Sequence, residues 1–205
     1  MYGCSASISP ILAILERFLP RDAAVIDLGC GKGVWGHLLK TYFPGVSVAG
    51  VEADPEAPNP FPGCAGRPWE CSYCHVDREE LVPWLRRWPI LGTTRPGPGP
   101  TSAPYTVGLC LDVIEHLSRS DGEMLLDLAP AIAGHWLLAT PSLLFDAGAP
   151  GYARHQSLWT EEDLRSRGFQ PIHPRGATWQ ALGFGMILAY RGNWDLAAVA
   201  AIEIG

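Results

Sequence analysis

The sequence predicts an α/β protein: a mostly parallel sheet covered by helices on both faces. Short apolar, β-branched runs at 23–28, 46–51, 107–111 and 135–139 alternate with stretches whose apolar residues recur every three or four positions. That alternation is what right-handed β-α-β crossovers require. The first apolar run leads directly into glycines at 29, 31 and 33, a turn in which backbone can approach a ligand closely. With 205 residues, 47% of them hydrophobic and 18% charged, the chain can bury the core such a fold needs, and one domain over 1–205 is expected.

Taken in order, residues 9–19 place Ile11, Leu12, Leu15, Phe18 and Leu19 on one helical face, with Pro10 in the first turn. The strand 23–28 is followed by a helix over 34–42 with Val34, Trp35, Leu38 and Leu39 inward. A second strand, 46–51, is closed by Glu52. Five prolines make 55–68 an irregular loop. A third strand is expected at 71–76, then a short helix at 79–88 interrupted early by Pro83. Residues 92–104 form a Gly/Pro-rich surface insertion too long for a simple turn.

The fourth strand is 107–111, and Ser120-x-x-Glu123 opens a helix carrying Met124, Leu125 and Leu128. The fifth strand is 135–139, and Thr160 starts a helix that Gly168 ends. The last two strands are expected at 169–172 and 196–204, with the stretch between them undetermined by pattern.

Charge and composition narrow the function classes. The formal net charge is −6 and there is no basic run, which disfavours a long polyanionic partner. A small, neutral or cationic substrate fits better. No apolar run approaches the ~18 residues needed to span a bilayer, and the N-terminus lacks a basic leader. Six cysteines without an export signal suggest reduced thiols and a cytoplasmic setting.

Asp27, two residues before the first glycine, is the informative acid. A carboxylate there repels a pyrophosphate and attracts a ligand's ammonium group. Glu52, at the end of the next strand, is placed to accept the hydroxyl hydrogens of a ribose. Gly31-Lys-Gly33-Val-Trp-Gly36 is also a G-x-G-x-x-G, a weak signal by itself. A short-chain hydride-transfer enzyme would need Tyr-x-x-x-Lys, but Leu28 and Gly36 stand four residues before the two lysines, Lys32 and Lys40; that class is excluded.

In chain order, VIDLGCGKGVWGHLL, VSVAGVEADP, LCLDVIEHLS and HWLLATPS resemble the class I S-adenosylmethionine-dependent methyltransferases, especially the bacterial type 11/type 23 group, from about residue 9 to residue 172. The resemblance implies a Rossmann-like three-layer sandwich whose seven-stranded sheet ends in an antiparallel strand. It implies that Asp27, Gly29, Cys30 and Gly31 line the methionine end of the cofactor. Glu52 would hold the ribose, Asp77 the adenine amino group, and Leu111 and Asp112 would flank the sulfonium. The expected activity is in-line methyl transfer to a small-molecule acceptor. A protein- or RNA-modifying methyltransferase and a non-catalytic subunit of the same fold are the alternatives.

Asp112, Glu115 and His116 leave the fourth strand at i, i+3 and i+4 and would share one side of a helix beside the methyl group. His116 is a candidate base because imidazole titrates near neutrality; His155 is a second candidate. Two groups, the small-RNA terminal 2′-O-methylating and the quinone-pathway O-methylating enzymes, carry E-x-x-E-H here. In the small-RNA group a further His stands four residues before a Trp. The chain is similar at Glu115, His116, His155 and Trp159, with Asp112 where those groups have Glu. A divalent metal at Asp112, Glu115, His116 and His155 is therefore an option, but an ordinary pocket role for His155 is the favoured reading. Cys64, Cys71 and Cys74 are expected to be free thiols rather than zinc ligands, and Cys30 and Cys110 small apolar fillers. Trp159, Trp179 and Tyr152 are placed in segments roofing the crevice.

Overall fold

The computed structural model describes residues 5–54, 71–87, 105–143, 154–173 and 185–195. Its strands are β1 (Ala24–Leu28), β2 (Ser47–Glu52), β3 (Cys71–His75), β4 (Tyr105–Leu111), β5 (Ala133–Pro141), β6 (Gln170–Ile172) and β7 (Met186–Arg191). They form one sheet in the order β3-β2-β1-β4-β5-β7-β6. Pairing is parallel from β3 through β5, whereas β7 runs antiparallel between β5 and β6. The sheet is mixed and mostly parallel, and the architecture is a Rossmann-like α/β sandwich.

The helices are α1 (Ser5–Phe18), α2 (Val34–Tyr42), α3 (Arg78–Arg87), α4 (Arg119–Ile132) and α5 (Glu161–Ser166). Strand alternation divides the core into two layers. Val25, Val48, Val107 and Leu109 face one side, against Ile11, Ile14 and Leu15 of α1 and Leu39 of α2. Ile26 and Leu28 face the other, against Leu81 and Leu85 of α3 and Leu125 and Ala129 of α4.

Several boundaries differ from the sequence reading. α1 begins at Ser5, so Pro10 lies inside it rather than in its first turn. Pro83 does not interrupt α3, which runs from Arg78 to Arg87. The ring forfeits one intrahelical bond, but Leu81, Val82 and Leu85 on both sides of it are buried. The N-cap of α4 is Ser118, whose hydroxyl accepts from the Asp121 amide at 3.2 Å, so Ser120 already belongs to the first turn. α5 opens with a capping box between Thr160 and Asp163, and Gly168 follows it with φ 78°. The antiparallel strand is 186–191, within the stretch that pattern left undetermined. The strand expected at 196–204, the 55–68 loop and the 92–104 insertion lie outside the described residues.

At the sheet edge where β5 begins, Tyr190 ties three elements together. Its hydroxyl accepts from the Trp194 amide at 2.6 Å and lies 2.8 Å from His135 Nδ1. Burial lowers the His135 pKa, in keeping with a neutral ring. Trp194 stacks on His135 at 4.2 Å and on Phe18 at 5.4 Å. Tyr190→Phe leaves the histidine nitrogen and the Trp194 amide without a partner. The expected cost is about 1–3 kcal/mol in urea unfolding; an unchanged midpoint would refute this account.

Candidate functional site

β1 is flanked by β2 on one side and β4 on the other, and β4 continues to β5. The crossovers therefore depart in opposite directions between β1 and β4, which opens a crevice at the C-terminal ends of these strands. The loop after β1 floors it. The Gly29 and Cys30 amides both donate to Val51 O, at 2.7 and 3.0 Å, and Gly33 N–H donates to Cys30 O at 2.8 Å. Gly29 has φ 68°, and a Cβ there would stand 2.5 Å from Val113 Cγ2. The loop after β1 and the loop after β4 thus meet where no side chain fits between them. α2 starts beyond Gly33 with no side-chain cap, leaving its first-turn N–H groups and positive dipole end directed at the crevice.

Two carboxyls stand at this floor. Glu52 ends β2 and is already oriented: Oε2 accepts from Gly31 N–H at 2.6 Å, and Oε1 from the Ala53 and Asp54 amides at 2.8 Å each. Asp27 is 1% exposed, and its Oδ2 has no hydrogen-bond partner among the described residues. Burial, reinforced by the nearby Glu52 charge, pushes its pKa up to about 8. Asp77 follows β3 and is exposed; its carbonyl accepts from the Glu80 amide at 2.9 Å. Leu111 is the buried last residue of β4. Asp112 adopts φ 56° and donates its amide to Ala139 O at 2.9 Å.

That left-handed residue changes the acceptor side of the crevice. The expected helix carrying Asp112, Glu115 and His116 on one face does not form; a single 3-10 turn, Ile114–His116, stands there instead. Glu115 turns inward and is 2% exposed, with Thr140 donating to its Oε2 at 2.9 Å. Burial, then the Asp112 charge, raises its pKa to about 8. His116 is half-buried, with Nδ1 3.2 Å from Arg154 O and Nε2 3.9 Å from Glu115 Oε1. Its pKa is lowered, chiefly by burial. The Nδ1 contact to a carbonyl assigns the hydrogen to Nδ1 and leaves Nε2 as the lone-pair nitrogen.

His155 stands edge-on to His116, ring centroids 4.8 Å apart, and its buried Nδ1 has no partner among the described residues. Ligand atoms of Glu115, His116 and His155 lie within 4.8 Å of one another; Asp112 is outside that group. Three of the four residues named for a metal thus converge. Tetrahedral ligands about 2.1 Å from a zinc ion are roughly 3.4 Å apart, so the cluster is wider than a bound ion would hold it.

The segment bearing His155 is anchored by backbone and by Trp159. The Gln156 and Ser157 amides both donate to Glu115 O, at 2.6 and 3.1 Å, and Gln156 Nε2 donates to His116 O at 2.8 Å. Trp159 is 1% exposed and does not roof the crevice. Its Nε1 donates to Ser157 Oγ at 2.9 Å, and its ring fills the space over Gly122, where any Cβ would overlap it. Arg119 lies 4.1 Å above that ring and pairs with Asp163. Tyr152, Trp179 and Cys64 lie outside the described residues; Cys71 and Cys74 belong to β3. No local signal marks Thr140, the partner of Glu115, because the contact spans 25 residues.

No family model and no curated protein matches this sequence. Solved structures do match. The pyocyanin biosynthetic protein PhzM superposes with a TM-score of 0.56 at 14% identity, over 90% of this chain but 54% of PhzM. The chain therefore spans about half the length of that relative. The methyltransferase domain of bacterial CtHen1-CN gives 0.57 at 17% identity, over 90% of this chain and 96% of that one. The N-terminal domain of EvdMO1 with S-adenosylhomocysteine bound gives 0.56 at 17% identity, over 91% and 80%. The fold is that of the class I S-adenosylmethionine-dependent methyltransferases. No helix among the described residues is long and apolar enough to cross a membrane.

Proposed function

We propose that this chain is a methyltransferase that binds S-adenosylmethionine in the β1–β4 crevice and transfers its methyl group to a small-molecule acceptor. The observation that carries the reading is Asp27: a buried carboxyl whose Oδ2 has no donor among the described residues, beneath a glycine loop and beside a helix N-terminus with no side-chain cap. Asp27 would receive the α-ammonium, Gly29, Cys30 and Gly31 would line the methionine end, and Glu52 would hold the ribose. Asp77 is offered to the adenine, and Leu111 and Asp112 to the sulfonium. The cofactor supplies the electrophilic methyl; the chain's task is to hold the acceptor in line with it.

For an acceptor that starts protonated, His116 is the first candidate base, because Nε2 carries its lone pair and burial keeps the ring neutral. His155 Nδ1 is the second. The net charge of −6 favours a small acceptor over a long nucleic acid. Metal assistance at Glu115, His116 and His155 is a second reading, which the convergence of their ligand atoms favours.

The test has two stages. S-Adenosylmethionine and S-adenosylhomocysteine should each raise the melting temperature, because a ligand of the native state alone stabilises it. No rise at millimolar ligand would overturn the proposal. Labelled methyl is then followed into lysate separated into metabolite, protein and RNA fractions, with and without EDTA. Label in the metabolite fraction, indifferent to EDTA and to added Mg²⁺ or Zn²⁺, is the expected result. Label in protein or RNA would replace the acceptor class, and loss with EDTA restored by metal would establish the second reading.

A further inference from the structure

Asp27 occupies the fourth position of β1, beside Gly50 of β2 and Leu109 of β4. Several titratable groups surround it. From β2 comes Glu52; from β4, Cys110; from its own loop, Cys30 and the exposed Lys32. Both thiols are pushed up by burial and by neighbouring carboxylates, so they remain neutral. Beyond Cys110 lie Asp112 and Glu115, whose charges also reach that thiol. Apart from Lys32, whose side chain is exposed, the groups named around Asp27 are acidic or neutral.

Two carboxyls this close do not both carry charge at low cost when one is fully buried. The hydrogen bonds decide which one does. Glu52 accepts three backbone N–H groups, and such donors favour the ionised form. Asp27 Oδ2 accepts none among the described residues. The proton therefore resides on Asp27, the fully buried carboxyl whose Oδ2 has no donor among the described residues.

We propose that the ligand-free crevice stores a proton on Asp27, and that a ligand bearing an ammonium group displaces it to solvent on binding. The inference rests on the reading of the crevice as the S-adenosylmethionine site. The step balances simply: a neutral carboxyl and an ammonium-bearing ligand become a carboxylate–ammonium pair plus one proton in solution, with no covalent bond to carbon made or broken. Methyl transfer leaves the ammonium in place, so the proton returns only when the product departs. Affinity should consequently rise about tenfold for each pH unit between 6 and 7.

The test is calorimetric titration of the full chain with S-adenosylhomocysteine at pH 7, in phosphate and in Tris, two buffers of very different protonation enthalpy. The apparent enthalpies should differ by close to one proton's worth. 5′-Methylthioadenosine, which keeps the adenosine and lacks the ammonium, should release none. In Asp27→Asn, S-adenosylhomocysteine should bind without proton release and with an affinity flat from pH 6 to 8. Equal enthalpies for S-adenosylhomocysteine in both buffers would overturn the inference while leaving the cofactor reading intact. Proton release by 5′-methylthioadenosine, or undiminished release in the variant, would likewise overturn it. Failure of S-adenosylhomocysteine to bind the unaltered protein would overturn the cofactor reading and this inference with it. The arms using the unaltered protein decide the matter by themselves should the variant not bind.

Discussion

Replacing Trp159 with alanine is expected to destabilise the protein by about 3–5 kcal/mol, the range for emptying a large aromatic site in a core. The ring is 1% exposed and sits over Gly122, whose missing side chain makes the space for it. Its removal leaves a cavity bounded by α4 that the α4 backbone cannot collapse into without shifting. Ser157 Oγ also loses its donor at 2.9 Å, whereas Ile114 O loses a contact at 3.3 Å but still accepts from Ser157 Oγ at 3.0 Å. Trp159→Phe should restore most of the packing but not the donor, and cost about 1–3 kcal/mol. Arg119→Ala removes a cation above the same ring and a partly exposed pair with Asp163; exposed pairs contribute about 0–1 kcal/mol, so its effect should be the smallest. Urea unfolding of the three variants checks the order. A Trp159→Ala midpoint within error of the unaltered protein would show that the segment around His155 is held by its backbone bonds to Glu115 alone.

The second large effect concerns pH. The ligand-free protein should lose stability as pH rises from about 4 to 8, the reverse of ordinary acid unfolding. Asp27 and Glu115 both have folded pKa values raised to about 8, chiefly by burial. Between their ordinary values near 4 and 8, the native state holds protons that the unfolded chain has released. Stability from each group is complete below the unfolded pKa and is lost as pH rises through the folded one. The slope is at most about 1.4 kcal/mol per pH unit for each group. His116 and His135, whose pKa values burial lowers, oppose this trend at the acid end of the window, and Asp163 acts oppositely too, because its pairing with Arg119 lowers it to about 2. Its contribution is present above its ordinary pKa and lost as pH falls toward 2, outside the window. Asp27→Asn should flatten the profile and leave the variant more stable than the parent at pH 8. Urea midpoints at pH 5, 6.5 and 8 measure this; a parent profile that climbs across that range would sink the prediction.

The sequence was most legible where local pattern and chain geometry coincide. The helix at 34–42 was placed with the bounds it has, because a glycine turn precedes it and an apolar stripe fills it. The positions named for cofactor contacts lie at or just past the C-terminal ends of β1 to β4, because parallel strands joined by right-handed crossovers must deliver those ends to one edge. Pattern failed where tertiary burial overrides local preference. Pattern alone makes Pro83 a break, yet the apolar residues around it hold α3 together. β7 carries no local signature, because a strand buried between β5 and β6 shows no polar alternation.

On the acceptor side, a single left-handed residue, Asp112, separates the expected helical face from the observed arrangement. Aspartate tolerates that conformation through its short polar side chain, but nothing in the string DVIEHL requires it there. The inward turn of Glu115 follows from that bend, and its bond to Thr140 depends on a strand 25 residues away. Local pattern puts Trp159 in a segment that roofs the crevice. What draws it inward is the vacancy over Gly122, a long-range feature invisible to local reading.

The meeting of Gly29 and Val113 divides the crevice for anyone who would retarget it. With no space left for another atom, those two positions act as a keystone between the loops after β1 and β4, and libraries that randomise them should return mostly misfolded clones. The adjustable rim is elsewhere: Leu143 just past β5, and Arg154 and Leu158 on the segment bearing His155, all exposed. Diversity confined to that rim would explore new acceptors over an unaltered floor.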